Sequence, residues 1–159
     1  MIAGAGQFGK VDQGVFTLWV ANHFFQQPLK YLGFGGTGKQ VRDLLHPDDL
    51  LRALELQLAD IDRLSGQTFN LGGGPEISTS LAELTALCQR VTGHTVPIAS
   101  EPATSPVDIP WYVSDFGRAE KAFGWRPQQS VEQIVGDIHG WLTRDRARLA
   151  PLFAPGAPA

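Results

Sequence analysis

Cysteine is almost missing from this chain. Cys88 is the sole cysteine in 159 residues, so no disulfide can close within the chain and no cysteine-based zinc site can form. The four histidines, His23, His46, His94 and His139, are scattered without ligand spacing, and no metal site is expected. A basic excess is also missing: the formal net charge is −3. A nucleic-acid binder would show a basic face, so that class is disfavoured. No window approaches the eighteen consecutive apolar residues of a membrane span, and Met1 is not followed by a basic stretch and an apolar core of the signal-peptide kind. A cytoplasmic protein without membrane attachment is the resulting expectation. Charged residues make up only 18% of the chain and apolar ones 43%. That balance suits a packed core rather than disorder.

The length fits one domain. Residues 1–150 are expected to form a single α/β unit, with 151–159 (PLFAPGAPA) a disordered tail. Residues 1–12 read as the end of a strand running into a loop. A helix is predicted over 14–26, apolar nearly all round through Phe16, Trp19, Val20 and Phe24, and hence buried on most sides. Strands are predicted over 28–33, 40–45, 67–71, 95–98 and 110–114. Pro47 sits where a first helical residue belongs, and Asp48 and Asp49 complement the positive end of the dipole. The helix they open should run to Asp60 with Leu50, Leu51, Leu54 and Leu58 as its buried stripe. Ser80 with Glu83, and Ser130 with Gln133, are capping boxes that open two further helices. The first of these should end at Gly93 and the second should cover 130–148. Asp115 should cap a short helix ending at Phe123.

Two glycine patterns invite a nucleotide reading and do not support it. Gly4-Ala5-Gly6-Gln7-Phe8-Gly9 matches G-x-G-x-x-G. A dinucleotide fingerprint, however, needs a full strand before it, a helix opening at once, and an acid about twenty residues on. Gly33 to Lys39 matches G-x-x-x-x-G-K, but Gln40 stands where a magnesium-holding Ser or Thr is required, and the run enters a strand rather than a helix.

The segment Lys39-Gln40-Val41-Arg42-Asp43-Leu44-Leu45-His46-Pro47-Asp48-Asp49 carries the main functional signal. An arginine on a short strand can make a two-pronged, charge-assisted pair with a phosphate. A structural pair with Asp43, Asp48 or Asp49 is the competing role. His46 fits a capping or packing position, and Asp48 and Asp49 fit helix-starting acids.

This run resembles the G-x-G-x-x-x-R-D-x-x-H-x-x-D segment of the extended short-chain dehydrogenases, within the NAD-dependent epimerase/dehydratase family of nucleotide-sugar enzymes. Other pieces follow in the family's order: Gly4-x-Gly6-Gln7-Phe8-Gly9 with Asp12-Gln13-Gly14, Pro28-Leu29 with Gly33, Phe69-Asn70-Leu71-Gly72-Gly73-Gly74, Asp108-Ile109-Pro110-x-Tyr112, and Gly124-Trp125-x-Pro127. The Gln7-Phe8-Gly9 and Asp108-Ile109-Pro110 pieces look most like the CDP-paratose (CDP-tyvelose) 2-epimerase branch.

The resemblance implies the C-terminal portion of a Rossmann-type enzyme, with its small substrate-binding subdomain and without the N-terminal dinucleotide-binding half. It implies that Arg42 contacts the diphosphate of a CDP- or UDP-sugar. Lys30, Tyr31 and Leu32 would line the nucleobase, and Gln7, Asp108 and Tyr112 would face the substrate. A second phosphate-binding arginine is expected at the position of Ser105, so one charge-assisted contact of about 1.5–3 kcal/mol is lost. The family's hydride chemistry uses NAD and a Tyr-x-x-x-Lys pair. Tyr31 and Tyr112 are followed four residues on by Gly35 and Phe116, so this chain has no such pair. The expectation is a substrate-side part of a nucleotide-sugar epimerase that is inactive and binds no NAD alone; the alternatives are a non-catalytic nucleotide-sugar-binding module, or one half of a split or truncated dehydratase or reductase. It would be partnered by a missing half or a second copy, and wet aromatics on the 14–26 helix would drive that association.

Overall fold

The computed structural model describes residues 1–8 and 14–153. Gly9, Asp12 and Gln13 of the family-like loop, and 154–159 of the expected tail, lie outside the described residues.

The class is α/β. The first helix, α1 (Val15–Phe24), buries Phe16, Trp19, Val20 and Ala21. It leads into strand β1 (Leu29–Leu32). A short 3-10 turn, Phe34–Gly36, then delivers the chain to β2 (Val41–Asp43). Helix α2 (Pro47–Ala59) opens with Pro47 in its first turn, and His46 is the cap whose ring nitrogen accepts from the Asp48 amide. A one-turn α3 (Ile61–Leu64) follows.

The short β3 (Ser78–Ser80) runs straight into α4 (Leu81–Thr92). Ser80 and Glu83 form the predicted capping box, and Gly93, with φ +72°, closes the helix in the left-handed conformation that glycine adopts freely. Two donors from Ser80, amide first and hydroxyl second, hold the Glu83 carboxyl below its usual range. After β4 (Ile98–Glu101) and β5 (Trp111–Tyr112) come α5 (Gly117–Phe123), α6 (Val131–Arg144) and α7 (Arg146–Leu149). The Ser130–Gln133 capping box forms as predicted. Asp145 interrupts the single helix expected over 130–148.

The strands make two small sheets. β1 pairs in parallel with β4, while β2 lies between antiparallel β3 and parallel β5. The larger core packs α1 against α4 and α6 through Trp19, Leu84, Cys88, Ile134 and Ile138. Burial raises the Cys88 thiol to a pKa of about 12. The smaller core gathers Leu45, Ala53, Ala119 and Trp125. Asp49 ties it together as a fully buried carboxylate. It accepts from the Gln128 and Gln129 amides at 3.0 and 3.1 Å and pairs with Arg52 at 2.9 Å.

Several expectations are corrected. The 14–26 helix is not a wet surface: Phe16 and Trp19 are 2% exposed because α4 and α6 cover them. Of the stripe assigned to α2, Leu50 packs on the smaller core but the other three leucines point the other way. Leu51, Leu54 and Leu58 are exposed, and the buried face carries Asp49 and Ala53. Apolar periodicity located a stripe but could not say which side met the core. Residues 67–71 form no strand. Thr68–Leu71 make no backbone ladder among the described residues, since no strand lies beside them. Residues 151–153, expected to fray, end in Phe153, whose ring stacks on Phe25 with centroids 5.5 Å apart. Among the described residues no helix is long and apolar enough to cross a membrane, and no cluster of three His, Cys, Asp or Glu could hold a metal ion.

Candidate functional site: a pocket beside Arg42

Between α1, β1 and the start of β2 lies a cavity of about 700 Å³, within the range of small-molecule sites. Strand alternation separates Lys30 and Leu32 from Tyr31. Lys30 and Leu32 project outward from β1 into the lining, whereas Tyr31 between them turns into the core. Its ring stacks on Trp19 and its hydroxyl lies 2.7 Å from Thr85 Oγ1. Tyr31 is therefore a packing residue and not part of the nucleobase edge expected for it. Gly38 lets that ring lie close, since a Cβ there would come within 2.6 Å of it.

Gln40, just before β2, and Arg42 on it both reach the lining. Gln40 Nε2 donates to the Leu32 carbonyl at 2.8 Å, joining the two strands at the pocket wall. Arg42 is held on three sides. Nη1 donates to the Val41 carbonyl at 2.8 Å, and Nη2 donates to Asp108 Oδ1 and to the Ile109 carbonyl, both at 2.8 Å. Arginine has five N–H donors, so these three bonds leave two for a ligand. The competing role in the sequence is thus partly realised, but the partner is Asp108 rather than Asp43, Asp48 or Asp49. Asp43 is buried and accepts from the Gly74 and Ser114 amides. Asp48 is exposed.

Arg42, Lys30, Leu32 and Asp108 therefore come together around one cavity. Tyr112 and Gln7 do not line it. Tyr112 is 53% exposed on β5 and lies opposite Arg42 in the strand register. Both ends of the Gln7 amide are used internally: Nε2 donates to the Ile2 carbonyl and Oε1 accepts from Thr17. Sequence reasoning missed the contribution of α1, whose Leu18, Trp19 and Asn22 form one wall. A helix apolar nearly all round gave no hint that one side bordered a cavity. Gln40 could have been found, because it stands two residues before Arg42 in the same predicted strand, 40–45.

Gly4 and Gly6 of the first glycine pattern do not open a helix directly. Gly4 and Gly6 flank a turn, and the helix that follows starts only at Val15. Gly4 serves close packing, since a Cβ there would lie 2.6 Å from Pro47 Cδ. No amides at a helix start are thereby presented to a pyrophosphate, and no residue here is assigned to NAD.

Residues 2–72 match the model of the "NAD dependent epimerase/dehydratase family". The CDP-paratose 2-epimerase of Salmonella typhi is 30% identical over 147 residues, which are 88% of this chain and 42% of that protein. The UDP-glucose 4-epimerase of Bifidobacterium longum is 30% identical over 69% of this chain and 31% of its own length. Among solved structures, the Thermotoga maritima UDP-glucose 4-epimerase with UDP-glucose superimposes with a TM-score of 0.75 at 23% identity, covering 91% of this chain and 44% of that one. The UDP-glucuronic acid 4-epimerase of Bacillus cereus, in complex with UDP-glucuronic acid and NAD, gives 0.76 at 18% identity, covering 91% and 43%. The fold is that of a C-terminal portion of such Rossmann-type epimerases. The chain spans less than half the length of the relatives it matches.

Proposed function

The chain belongs to the NAD-dependent epimerase/dehydratase family, and we propose that its pocket holds the nucleoside diphosphate of a nucleotide sugar. The observation that carries this reading is Arg42, oriented by Asp108 and Ile109 at the cavity wall with two donors left over. A planar guanidinium so fixed loses little further freedom when it meets a phosphate. Lys30 adds a second cation to the same wall, which compensates in part for Ser105 standing where the family places an arginine. The free side of β1 at Lys30 and Leu32 would lie along the nucleobase. The likeness to a CDP-paratose 2-epimerase over 88% of the chain favours a CDP-sugar, with UDP-sugars as the runner-up.

In the whole enzyme, bound NAD supplies hydride removal and return at the sugar. The residues here do not contribute the acid–base pair for that step, since neither tyrosine is followed by a lysine at the fourth position. Their part is to bind and orient the substrate, and the chain alone is expected not to turn over. A substrate-binding part that needs a catalytic complement fits these residues better than a free-standing isomerase.

Calorimetry with CDP-glucose and UDP-glucose tests the binding. Heat should be measurable at millimolar ligand, and Arg42→Ala should weaken binding by about 10- to 100-fold, the factor for losing a charge-assisted bond. No heat with the wild-type chain, or equal affinity in the variant, would overturn the assignment. Epimerisation of CDP-glucose by the purified chain with added NAD would overturn the claim that it does not turn over.

A further inference from the structure

One buried threonine holds two walls of the pocket. Thr85 lies in the second turn of α4 and is 8% exposed. Its hydroxyl donates to the Leu81 carbonyl one turn back at 2.8 Å, which fixes the side chain in one rotamer. The same oxygen accepts from the indole N–H of Trp19 at 2.9 Å and lies 2.7 Å from the Tyr31 hydroxyl. A threonine hydroxyl has one proton and two lone pairs. The proton goes to Leu81 and one lone pair to Trp19, so the Tyr31 hydroxyl is the donor to the other. Every bonding position of the Thr85 hydroxyl is therefore filled.

The partners come from three elements that meet at the pocket. Trp19 lines it from α1, and Leu81 lines it from the start of α4. Tyr31 does not line it, but stands between Lys30 and Leu32, which line it from β1. Neighbouring strand residues point to opposite faces, so anchoring Tyr31 anchors the backbone that carries Lys30 and Leu32. The Trp19 and Tyr31 rings also stack, with centroids 5.5 Å apart and planes 16° from parallel. Stacked rings can slide over one another, and a shared hydroxyl removes that freedom by pinning a polar atom of each. For packing alone, the Leu81 carbonyl would have satisfied the Thr85 proton. The two further bonds tie the residue to both sides of the cavity.

We infer that Thr85 is a positioning residue for ligand binding: its hydroxyl sets the gap between the α1 and β1 walls, and so the fit of whatever is held between them. Thr85 is not among the lining residues and acts through Trp19 and Tyr31. Without the hydroxyl, the Trp19 indole N–H and the Tyr31 O–H have no other partner among the described residues. Unpaired buried donors are costly, so both rings shift toward new acceptors and the walls move with them. The effect on affinity rests on the nucleotide-sugar reading above, whereas the effect on wall spacing does not.

Thr85→Val keeps the shape and removes the hydroxyl, while Thr85→Ser keeps the hydroxyl and drops the methyl. Calorimetry with CDP-glucose is run where circular dichroism shows each variant folded. Binding should be at least about fivefold weaker for Thr85→Val and within about twofold of the wild type for Thr85→Ser. A second reading needs no ligand: nitroxides on Leu18→Cys and Leu32→Cys, one on each wall, with buried Cys88 left unlabelled. Their dipolar broadening should weaken when Thr85→Val is added and stay unchanged with Thr85→Ser. Should Thr85→Val fail to fold, Tyr31→Phe removes one arm alone and should weaken binding about threefold, with the same loosening of the labels. Wild-type affinity in a folded Thr85→Val or Tyr31→Phe chain would overturn the inference, leaving the hydroxyl a structural role only. Equal losses in the valine and serine variants, or broadening that no variant changes, would also overturn it. No heat with the wild-type chain would remove the nucleotide reading, and the label separation would then decide the role of Thr85.

Discussion

Arg42 Nη2 lies 2.8 Å from Asp108 Oδ1, so the cation of the pocket already faces an acid. They are sixty-six positions apart in sequence; pairing of β2 with β5 closes that separation, and the loop before β5 carries Asp108 to the strand bearing Arg42. The pair is part-exposed, and such pairs contribute about 0.2–1 kcal/mol. It therefore orients the arginine more than it stabilises the fold.

That arrangement makes a prediction of opposite sign to the usual loss on substitution. Asp108→Asn keeps the oxygen that accepts from Nη2 but removes the negative charge facing an incoming diphosphate. CDP-glucose should bind up to about fivefold more tightly, the factor matching a weak surface pair. Calorimetry at low and high salt checks this, and the gain should shrink as salt screens the charge. Tenfold weaker binding would instead mean that the Asp108 carboxylate itself contacts the ligand.

Asp49 gives the largest stability effect. Its carboxylate is 0% exposed and serves two amides and Arg52. Asp49→Ala leaves the Gln128 and Gln129 amides without their buried acceptor and removes the acid that faces Arg52, a loss of about 3–5 kcal/mol. Asp49→Asn, which still accepts, should lose less. Urea unfolding followed by tryptophan fluorescence, to which Trp125 contributes with its indole donating to the Asp49 carbonyl, reads both variants.

Gly73 tests a purely steric requirement. A Cβ there would sit 2.1 Å from the Leu44 carbonyl oxygen and 2.8 Å from that of Ile77. Neither is the end of a flexible side chain, and Leu44 and Ile77 are themselves hydrogen-bonded to each other. Gly73→Ala should lower stability by at least about 2 kcal/mol through forced backbone movement. Gly66→Ala serves as a contrast, since nothing lies within 4 Å of its Cβ position and only the positive φ of +74° is strained. Its loss should be about 1 kcal/mol.

Much of this framework was legible in the sequence. The two capping boxes, Pro47 after its His46 cap, and Gly93 as a stop are local chemistry, decided within four residues and hence readable without tertiary context. Arg42 stood out for the same reason. What could not be read was direction. The leucines of α2 announce an amphipathic stripe, but which stripe meets the core depends on Asp49 finding amides almost eighty residues away. The predicted strand at 67–71 failed because a strand is defined by its neighbour. Tyr31 faces inward because Trp19 and Thr85 wait for it from other elements.

Cys88 is fully buried, and desolvation raises its pKa to about 12. The reactive species is the thiolate, so the folded chain should be nearly inert to a disulfide reagent at pH 8, with well under 0.1 thiol reacting in minutes. In denaturing urea one thiol per chain should react at once. Faster reaction in the native state would mean that α4 opens locally.

His23 gives a pH dependence with a definite sign. Its ring is buried within α1. Nδ1 lies 2.8 Å from the Trp19 carbonyl, so it is the protonated nitrogen, and Nε2 has no partner among the described residues. Burial lowers its pKa below the usual value, the Trp19 carbonyl opposes this, and nearby His94 lowers it further. The unfolded chain therefore takes up a proton near pH 6.5 that the folded chain refuses until lower pH. Stability from this group is intact above that value and declines as pH falls below it, by at most about 1.4 kcal/mol per unit. Guanidine midpoints measured between pH 7.5 and 5.5 should fall for the wild type and stay nearly level for His23→Leu in that window. The same slope in both proteins would place the proton elsewhere.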